Sequence, residues 1–270
     1  MSRPYAEVIG DPIAQSKSPT IHNFWLEKLG VDAEYRACHV RPEELADYFA
    51  RRREDPAWRG CNVTIPHKTT CLPLLDGVHR AARKIGAANT IARNARGELH
   101  GINTDIDGIW RTLDLMGERR AMRVVIIGAG GAARAMCAAL VPLKPSHVTI
   151  VNRSAENARD LLKHFALPGE VSDFGVLPPA DLIVNASPLG MTGKPPLEVS
   201  LTRQTTSTFV FDMVYAPLET ELLREARQRG LGATNGLTML IEQAAVAFGK
   251  FFRKTAPRKF NAELRELLTR

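Results

Sequence analysis

The residues of this chain best able to do chemistry stand where apolar, strand-like runs give out. Asn62, Thr64 and Lys68 follow one such run, Asn89 borders another, and Asn103-Thr104-Asp105 follows a third and opens a helix. Ser16 and Ser18 follow the first run of the chain. In α/β sheets, ligands sit outside the carboxyl ends of the strands. A lysine and a carboxylate suit hydride transfer. As a ketone is reduced its oxygen gains charge and needs a proton; a lysine supplies both field and proton, and a nearby carboxylate orients it and relays protons. Taken singly, each residue also has a plainer role. Lys68 reads as a solvated surface lysine, Asp105 and Ser18 as helix caps, and Ser16 as a loop residue.

A second constellation begins at Val124-Val125-Ile126-Ile127, an apolar run that reads as a strand buried on both faces. Gly128-Ala129-Gly130-Gly131-Ala132-Ala133-Arg134 follows at once, then the helix former Ala135-Met136-Cys137-Ala138-Ala139-Leu140. Strand, tight glycine turn and helix together make a cradle for phosphate, with backbone N–H groups and the helix's positive end facing the anion. Gly128 allows the turn, Gly130 lets a pyrophosphate approach, and Ala132 or Ala133 allows close helix–strand packing. An ordinary strand-to-helix turn is the plainer reading. The next strand ends Val151-Asn152-Arg153-Ser154, with no acid where a ribose 2′-hydroxyl would need one. An arginine there pairs with a 2′-phosphate, which favours NADP over NAD; otherwise Arg153 is an exposed residue at a helix start.

The apolar pattern supplies elements to position these residues. Residues 5–10 read as a first strand, and Ser18-Pro19 opens a helix with Ser18 as N-cap, a stripe of Ile21, Phe24, Trp25 and Leu29, and Gly30 at its end. A second strand is expected at 33–40, a helix at 42–53, a short strand at 61–65 stopped by Pro66, and a helix at 72–84. Residues 89–93 and 98–102 read as a strand pair around a turn at 94–97, and 106–116 as a helix closed by Gly117. Further strands are expected at 148–151, 182–185 and 209–212, and the stretch 230–236 leads into a last amphipathic helix with Leu240, Ala244, Ala247 and Phe251. Strands and helices alternate, so the class is α/β with parallel sheets. A domain boundary is expected within 117–123, with Arg119 and Arg120 as basic surface.

At 270 residues the chain is long enough for two domains with separate cores, and its 44% apolar content is ordinary. No apolar run approaches the ~18 residues of a membrane span. The stretch Met1 to Glu7 has no apolar signal segment, so a cytoplasmic protein with no membrane partner is expected. Cys38, Cys61, Cys71 and Cys137 are scattered and read as reduced, mostly buried thiols. No metal is expected, since no cluster has ligand spacing. The net charge of +7 is spread out; its longest run, Arg51-Arg52-Arg53, falls on a helix face, and no aromatic residues interleave a basic stripe. Nucleic acid is therefore not expected as a partner. A small anionic substrate and a phosphorylated cofactor account for the bias.

Several motifs stand in one order. They are Ser16-Lys17-Ser18-Pro19, Asn62-Val63-Thr64-Ile65-Pro66-His67-Lys68, Gly86-Ala87-Ala88-Asn89-Thr90, Asn103-Thr104-Asp105, Gly128-Ala129-Gly130-Gly131-Ala132 and Asn152-Arg153-Ser154. Asn185-Ala186-Ser187-Pro188-Leu189-Gly190-Met191, Asp212-Met213-Val214-Tyr215 and Gly236-Leu237-Thr238-Met239-Leu240-Ile241-Glu242-Gln243-Ala244 complete the series. Together they resemble the shikimate dehydrogenase family over nearly the whole chain. The resemblance implies two α/β domains with the active site in a cleft between them. Residues 1–104 with 237–270 would bind substrate, 105–236 would form a Rossmann-like NADP-binding domain, and the C-terminal helices would return to the substrate domain. It implies reversible, metal-free reduction of 3-dehydroshikimate to shikimate with NADP(H), in aromatic amino acid biosynthesis, by a monomer or homodimer.

By motif match, Lys68 and Asp105 are the catalytic pair, and Ser16 and Ser18 hold the substrate carboxylate. Thr64, Asn89, Asp105 and Gln243 bind ring hydroxyls, and Tyr215 lines the same cleft. Gly128, Ala129, Gly130, Gly131 and Ala132 take the cofactor phosphates, and Asn152, Arg153 and Ser154 the adenosine phosphate end. Met213, Gly236 and Met239 belong near the nicotinamide. Three departures bear on specificity. Asn157 stands where many NADP-using members carry a second arginine; Ile106 and Thr238 stand where glycine is common. They keep NAD, and a paralogue oxidising quinate or another cyclic hydroxy acid, in view. Ser18 stands against quinate, whose users tend to carry threonine there. A non-catalytic NADP-binding sensor is the alternative of another class, and the presence of both Lys68 and Asp105 stands against it.

Overall fold

Every residue of the first strand, β1 (Tyr5–Gly10), is buried, as in a strand covered on both faces. The computed structural model describes residues 3–117 and 121–270; Arg119 and Arg120, expected as boundary surface, lie outside the described residues. After β1 come α1 (Ser18–Lys28), β2 (Glu34–His39), α2 (Leu45–Glu54), β3 (Trp58–Val63), β4 (Gly77–Val78), α3 (Arg80–Ile85), β5 (Thr90–Arg93), β6 (Leu99–Ile102) and α4 (Asp105–Leu113). The chain continues through β7 (Arg123–Ile127), α5 (Gly131–Leu140), β8 (His147–Val151), α6 (Ala155–Phe165), β9 (Gly169–Ser172), β10 (Gly175–Val176), β11 (Leu182–Asn185) and β12 (Val199–Ser200). It closes with β13 (Phe209–Asp212), α7 (Glu221–Gln228), β14 (Gly232–Thr234), α8 (Leu237–Phe252) and α9 (Asn261–Thr269). Two units result, residues 1–107 with 241–270, and residues 108–240. Among the described residues no helix is long and apolar enough to cross a membrane.

The first unit holds a six-stranded sheet in the order β2-β1-β3-β5-β6-β4. It is mixed, where parallel sheets are expected: β5 runs antiparallel to both β3 and β6, and the strand pair expected around residues 94–97 is the β5–β6 hairpin, with Gly97 at φ +84° in its turn. One face carries Tyr5, Ile9, Tyr48, Phe49, Trp58 and Ile91 in a single core; the other carries Ala6, Val8 and Tyr35 against Ala247 and Phe251 of α8. The second unit holds a six-stranded sheet, β14-β13-β11-β7-β8-β9, parallel in every pairing. Its apolar strands need cover on both faces, and one face packs Val125, Ile183 and Val210 against Leu222, Leu223 and Ala226 of α7.

Several expected elements shift. The helix expected over 72–84 is interrupted: Pro73 lies in a single 3₁₀ turn, Gly77–Val78 pair with β6, and α3 starts only at Arg80. Proline and glycine are poor in helix interiors, and a Cβ on Gly77 would stand 2.6 Å from the His100 ring. The strand expected at 61–65 is β3, which begins at Trp58 and ends at Val63. The helix expected at 42–53 opens with a 3₁₀ turn over Pro42–Glu44. Ser18 is the first residue of α1 and not its N-cap; Ser16 Oγ instead accepts the Ser18 N–H at 3.3 Å. Helix α8 is not the last, since α9 follows it. The short, glycine-led strands β9 and β14 carry too little apolar pattern to be anticipated.

The arginine run is not merely a solvated face. Glu7 points into the core of the first unit at 3% exposure, and Arg52 reaches it through Nε at 2.7 Å and Nη2 at 2.9 Å. The Tyr48 hydroxyl donates to the same carboxylate at 2.8 Å. A buried carboxylate is tolerated only when paired and hydrogen-bonded. Arg52→Ala is therefore expected to cost about 3 kcal/mol of stability, read as a lower urea midpoint. Replacing both members, Glu7→Leu with Arg52→Met, should recover much of that loss; an unchanged midpoint in Arg52→Ala would show the pair to be idle.

Candidate active site

Four chain segments meet at one edge of the first unit's sheet because β5 is reversed. The carboxyl ends of β1 and β3 lie there, followed by Ser16-Lys17-Ser18 and by Thr64 to Lys68. The amino end of β5, with Asn89 just before it, lies at the same edge, and so does the carboxyl end of β6, leading into Asn103-Thr104-Asp105. A Cβ on Gly10 would come within 2.5 Å of Thr64 Cγ2, so glycine lets the two strand ends approach. The segment bearing Lys68 is fixed from both sides. His67, fully buried, donates from Nε2 to the Val40 carbonyl at 2.6 Å, and the Lys68 carbonyl accepts the Ala88 N–H at 2.8 Å.

Lys68 Nζ donates to Asp105 Oδ2 at 2.6 Å, with the two side chains 14% and 5% exposed. Asn89 Nδ2 donates to the other carboxylate oxygen, Oδ1, at 2.8 Å, and also lies 3.0 Å from Thr104 Oγ1. Asn89 Oδ1 in turn accepts the Thr104 N–H at 2.7 Å. Gln243 of α8 joins through Oε1, 3.3 Å from Thr104 Oγ1 and 3.4 Å from Asn89 Nδ2. Asn103 Oδ1 accepts the Asp105 N–H at 3.1 Å and its amide donates to the Ala87 carbonyl at 2.9 Å. Among the described residues the Lys68 ammonium has Asp105 as its hydrogen-bond partner, so donors of its three remain for a ligand. The result is a cation beside a buried anion, with protons and lone pairs fixed in direction.

Behind this cluster runs a support. The Tyr35 hydroxyl donates to Asn62 Oδ1 at 2.6 Å; Asn62 Nδ2 donates to Thr90 Oγ1 at 2.8 Å and to the Asn89 carbonyl at 3.2 Å. All four residues are buried. Asn62 is singled out in the sequence by its place at a strand end, but Tyr35 and Thr90 are not, because each reads as an ordinary strand residue. Thr104 is signalled by its place in the polar triplet after β6. The structure thus brings Lys68, Asn89, Asp105 and Gln243 into one network. Ser16, Ser18 and Thr64 stand at the same edge, Ser18 5% exposed and hydrogen-bonded to Ser16 and not to the lysine.

The remaining predicted residues lie in the second unit. Gly128 turns at φ +106°, and a Cβ there would come within 3.2 Å of the Ala186 backbone. A Cβ on Gly130 would meet nothing within 4 Å, and Gly130 caps α5, whose first turn carries no acid. Open space over a helix N-terminus fits a pyrophosphate. Ala133 is fully buried against the sheet, whereas Ala129, Gly131 and Ala132 are partly open. Arg153 is exposed just past β8; Asn152 Nδ2 donates to the Ser154 carbonyl at 2.9 Å, and Ser154 caps α6 by accepting the Asn157 N–H. Arg159 is exposed on α6. Gly236 lies hard against Met213, where a Cβ would come within 2.1 Å of the Met213 carbonyl oxygen, and Gly108 against Met239. Tyr215 is half-buried after β13. No group of three or more His, Cys, Asp or Glu suited to a metal ion is present among the described residues.

Residues 8–91 match the family profile of the shikimate dehydrogenase substrate binding domain, and residues 113–214 that of shikimate / quinate 5-dehydrogenase. A shikimate dehydrogenase (NADP(+)) of Sphingopyxis alaskensis is 50% identical over 266 residues, covering 98% of this chain and 97% of the relative. The shikimate 5-dehydrogenase of Thermus thermophilus, solved in complex with NADP(H) and shikimate, matches with a TM-score of 0.85 at 32% identity, over 98% of this chain and 99% of that one. A ligand-free 5-ketofructose reductase of Gluconobacter sp. strain CHM43 matches with a TM-score of 0.84 at 30% identity, over 99% of each chain. The fold therefore also serves an enzyme named for a different substrate.

One acid in the second unit makes stability depend on pH. Asp212 is fully buried and accepts from Asn185 Nδ2 at 2.9 Å, the Val214 N–H at 3.0 Å and the Thr220 hydroxyl at 2.6 Å. Burial outweighs those three bonds and pushes its pKa up to about 6. An unfolded aspartate titrates near 3.9. The native state therefore keeps a proton that the unfolded chain has lost. The contribution is full below about pH 4 and is lost as pH rises through about 6, roughly 2–3 kcal/mol in all. Urea midpoints across pH 4 to 7 should fall more steeply in the wild type than in Asp212→Asn; parallel curves would rule the effect out.

Proposed function

The chain belongs to the shikimate dehydrogenase family, and on that premise we propose that it reversibly reduces 3-dehydroshikimate to shikimate with NADP(H). The observation that carries the proposal is the Lys68–Asp105 pair, 2.6 Å apart and braced by Asn89. Lys68 stands ready to donate from Nζ to the ketone oxygen as charge gathers there, and to stabilise that charge beforehand. Asp105 holds the ammonium in place through Oδ2. In the oxidation direction Lys68 acts in reverse, accepting the hydroxyl proton. Asn89, Thr64 and Gln243 bind ring hydroxyls; Ser16 and Ser18 take the carboxylate; Tyr215 is assigned to the substrate as well.

Residues 108–240 are assigned to the cofactor, which supplies or accepts the hydride when bound. Gly128, Ala129, Gly130, Gly131 and Ala132 would hold the pyrophosphate at the start of α5. Arg153, with Asn152 and Ser154, would meet the 2′-phosphate, and Met213, Gly236 and Met239 would lie near the nicotinamide. We place the enzyme in the cytoplasm, as a monomer or homodimer with small-molecule partners; its four unbridged cysteines suit a reducing compartment.

Two measurements test this reading. Lys68→Ala is expected to lower kcat for shikimate oxidation by about 10²–10⁴ while NADP⁺ binding, read by calorimetry, persists. Turnover equal to wild type would remove Lys68 from the mechanism. Crossing shikimate and quinate with NADP⁺ and NAD⁺ should give the highest kcat/KM for shikimate with NADP⁺, by about 100-fold over the other pairs, or roughly 2.7 kcal/mol. Arg153→Ala should bring NADP⁺ and NAD⁺ closer by about tenfold. A quinate or NAD⁺ optimum would instead give weight to the departures at Ile106, Asn157 and Thr238.

A further inference from the structure

The first unit's sheet has a second edge that carries a cluster of cations. At the amino ends of β1 and β3, beside Pro4 and Trp58, lies a cavity of about 550 Å³. It lies at the other end of the strands from Thr64 and Lys68, one strand length away, or about 20 Å. It is therefore separate from the Lys68 network. Its volume falls in the range of small-molecule sites.

The lining is cationic. Arg59, Arg93, Lys250 and Arg253 all border the cavity, and the single carboxylate among its lining residues, Asp32, is already paired with Arg3 at 2.9 Å. Arg59 Nη1 donates to the Pro56 carbonyl at 2.7 Å, and Arg93 Nη1 to the Asp55 carbonyl at 2.6 Å. Neutral carbonyls thus aim two half-buried guanidiniums without cancelling their charge. Three other arginines of this unit are instead paired with acids, Arg52 with Glu7, Arg53 with Asp76 and Arg36 with Glu34, while Arg83 on α3 also donates to a carbonyl, that of Val78. Among the described residues, Arg59, Arg93 and Arg253 form no ion pair. The charge of Lys250 acts on Asp107, which is not a lining residue. Val31, Pro56 and the half-buried Phe252 give the same cavity an apolar wall.

We propose that this cavity binds a small anion that carries a ring or similar apolar body and a carboxylate or phosphate group. The guanidinium forks match either group with two parallel N–H donors, and the apolar wall takes the body. The inference rests on the cavity alone and does not depend on the reaction proposed above. Benzoate and phenyl phosphate, titrated calorimetrically into the full chain, separate the two head groups. At least one is expected to bind with a Kd below about 1 mM. Its affinity should fall about tenfold or more in a combined Arg59→Gln and Arg93→Gln variant. It should fall measurably in Arg253→Gln as well, which removes charge without touching a structural hydrogen bond and so decides the matter even if the double variant folds poorly. Lys68→Ala and Arg153→Ala should leave it unchanged. Absence of binding by both probes at millimolar concentration overturns the proposal, as does binding that survives in the arginine variants or disappears in Lys68→Ala or Arg153→Ala.

Discussion

One primary amide, that of Asn89, sets the directions of everything around the Lys68–Asp105 pair. Its nitrogen donates to the Asp105 carboxylate and to Thr104, and its oxygen accepts from the Thr104 backbone. An amide cannot rotate by half a turn without exchanging donors for acceptors, so each partner fixes the others. The carboxylate is left with one oxygen facing Lys68, which makes the lysine's charge and proton available at a defined place. Burial is what gives this arrangement force, since directed dipoles and charges act more strongly where water is scarce. The reversal of β5 is the topological condition for it. In a wholly parallel sheet the residue before β5 would lie at the opposite edge from Lys68.

The two units manage buried acids in different ways. Glu7 is gripped by a guanidinium through two nitrogens. Asp212 has three neutral donors and, among the described residues, no ion-pair partner, and burial leaves it holding a proton into mildly acidic conditions. Asp105, like Glu7, has a cation as hydrogen-bond partner, with a lysine in place of the arginine. The contrast is chemical as well as energetic. An arginine partner is permanently charged, whereas a lysine can give its proton away and take it back, which is what a partner to a reacting ketone needs.

Much of this is legible in the residues. The glycine loop, the strands leading to it and the polar triplet after β6 announce themselves through composition and order. Lys68, Asn89, Asp105 and Gln243 are each marked out by their motifs, though no motif places them in contact. What stays hidden has physical reasons. Strands β9 and β14 are short and glycine-led, so periodicity has too few residues to work on. The helix expected over 72–84 fails because a two-residue pairing with β6, a contact distant in sequence, overrides local pattern. Arg52 on α2 reads as one of three surface charges because its partner, Glu7, sits 45 positions away on β1. Tyr35 and Thr90 matter through hydrogen bonds made inside the core, which no spacing rule records.

The helix that completes the first unit arrives late. Ala247 and Phe251 of α8 cover the face of the sheet made by Ala6, Val8 and Tyr35, and Phe251 fills the space left by Gly60. During synthesis the strands emerge long before their cover, by about 200 residues, or roughly 10–40 s at ribosomal rates. Throughout that interval the nascent chain carries an unfinished apolar surface. The contiguous second unit, residues 108–240, has left the ribosome before that cover is made. Completion of the first unit thus waits on residues 241–270, whereas the second unit is contiguous and waits on nothing beyond residue 240.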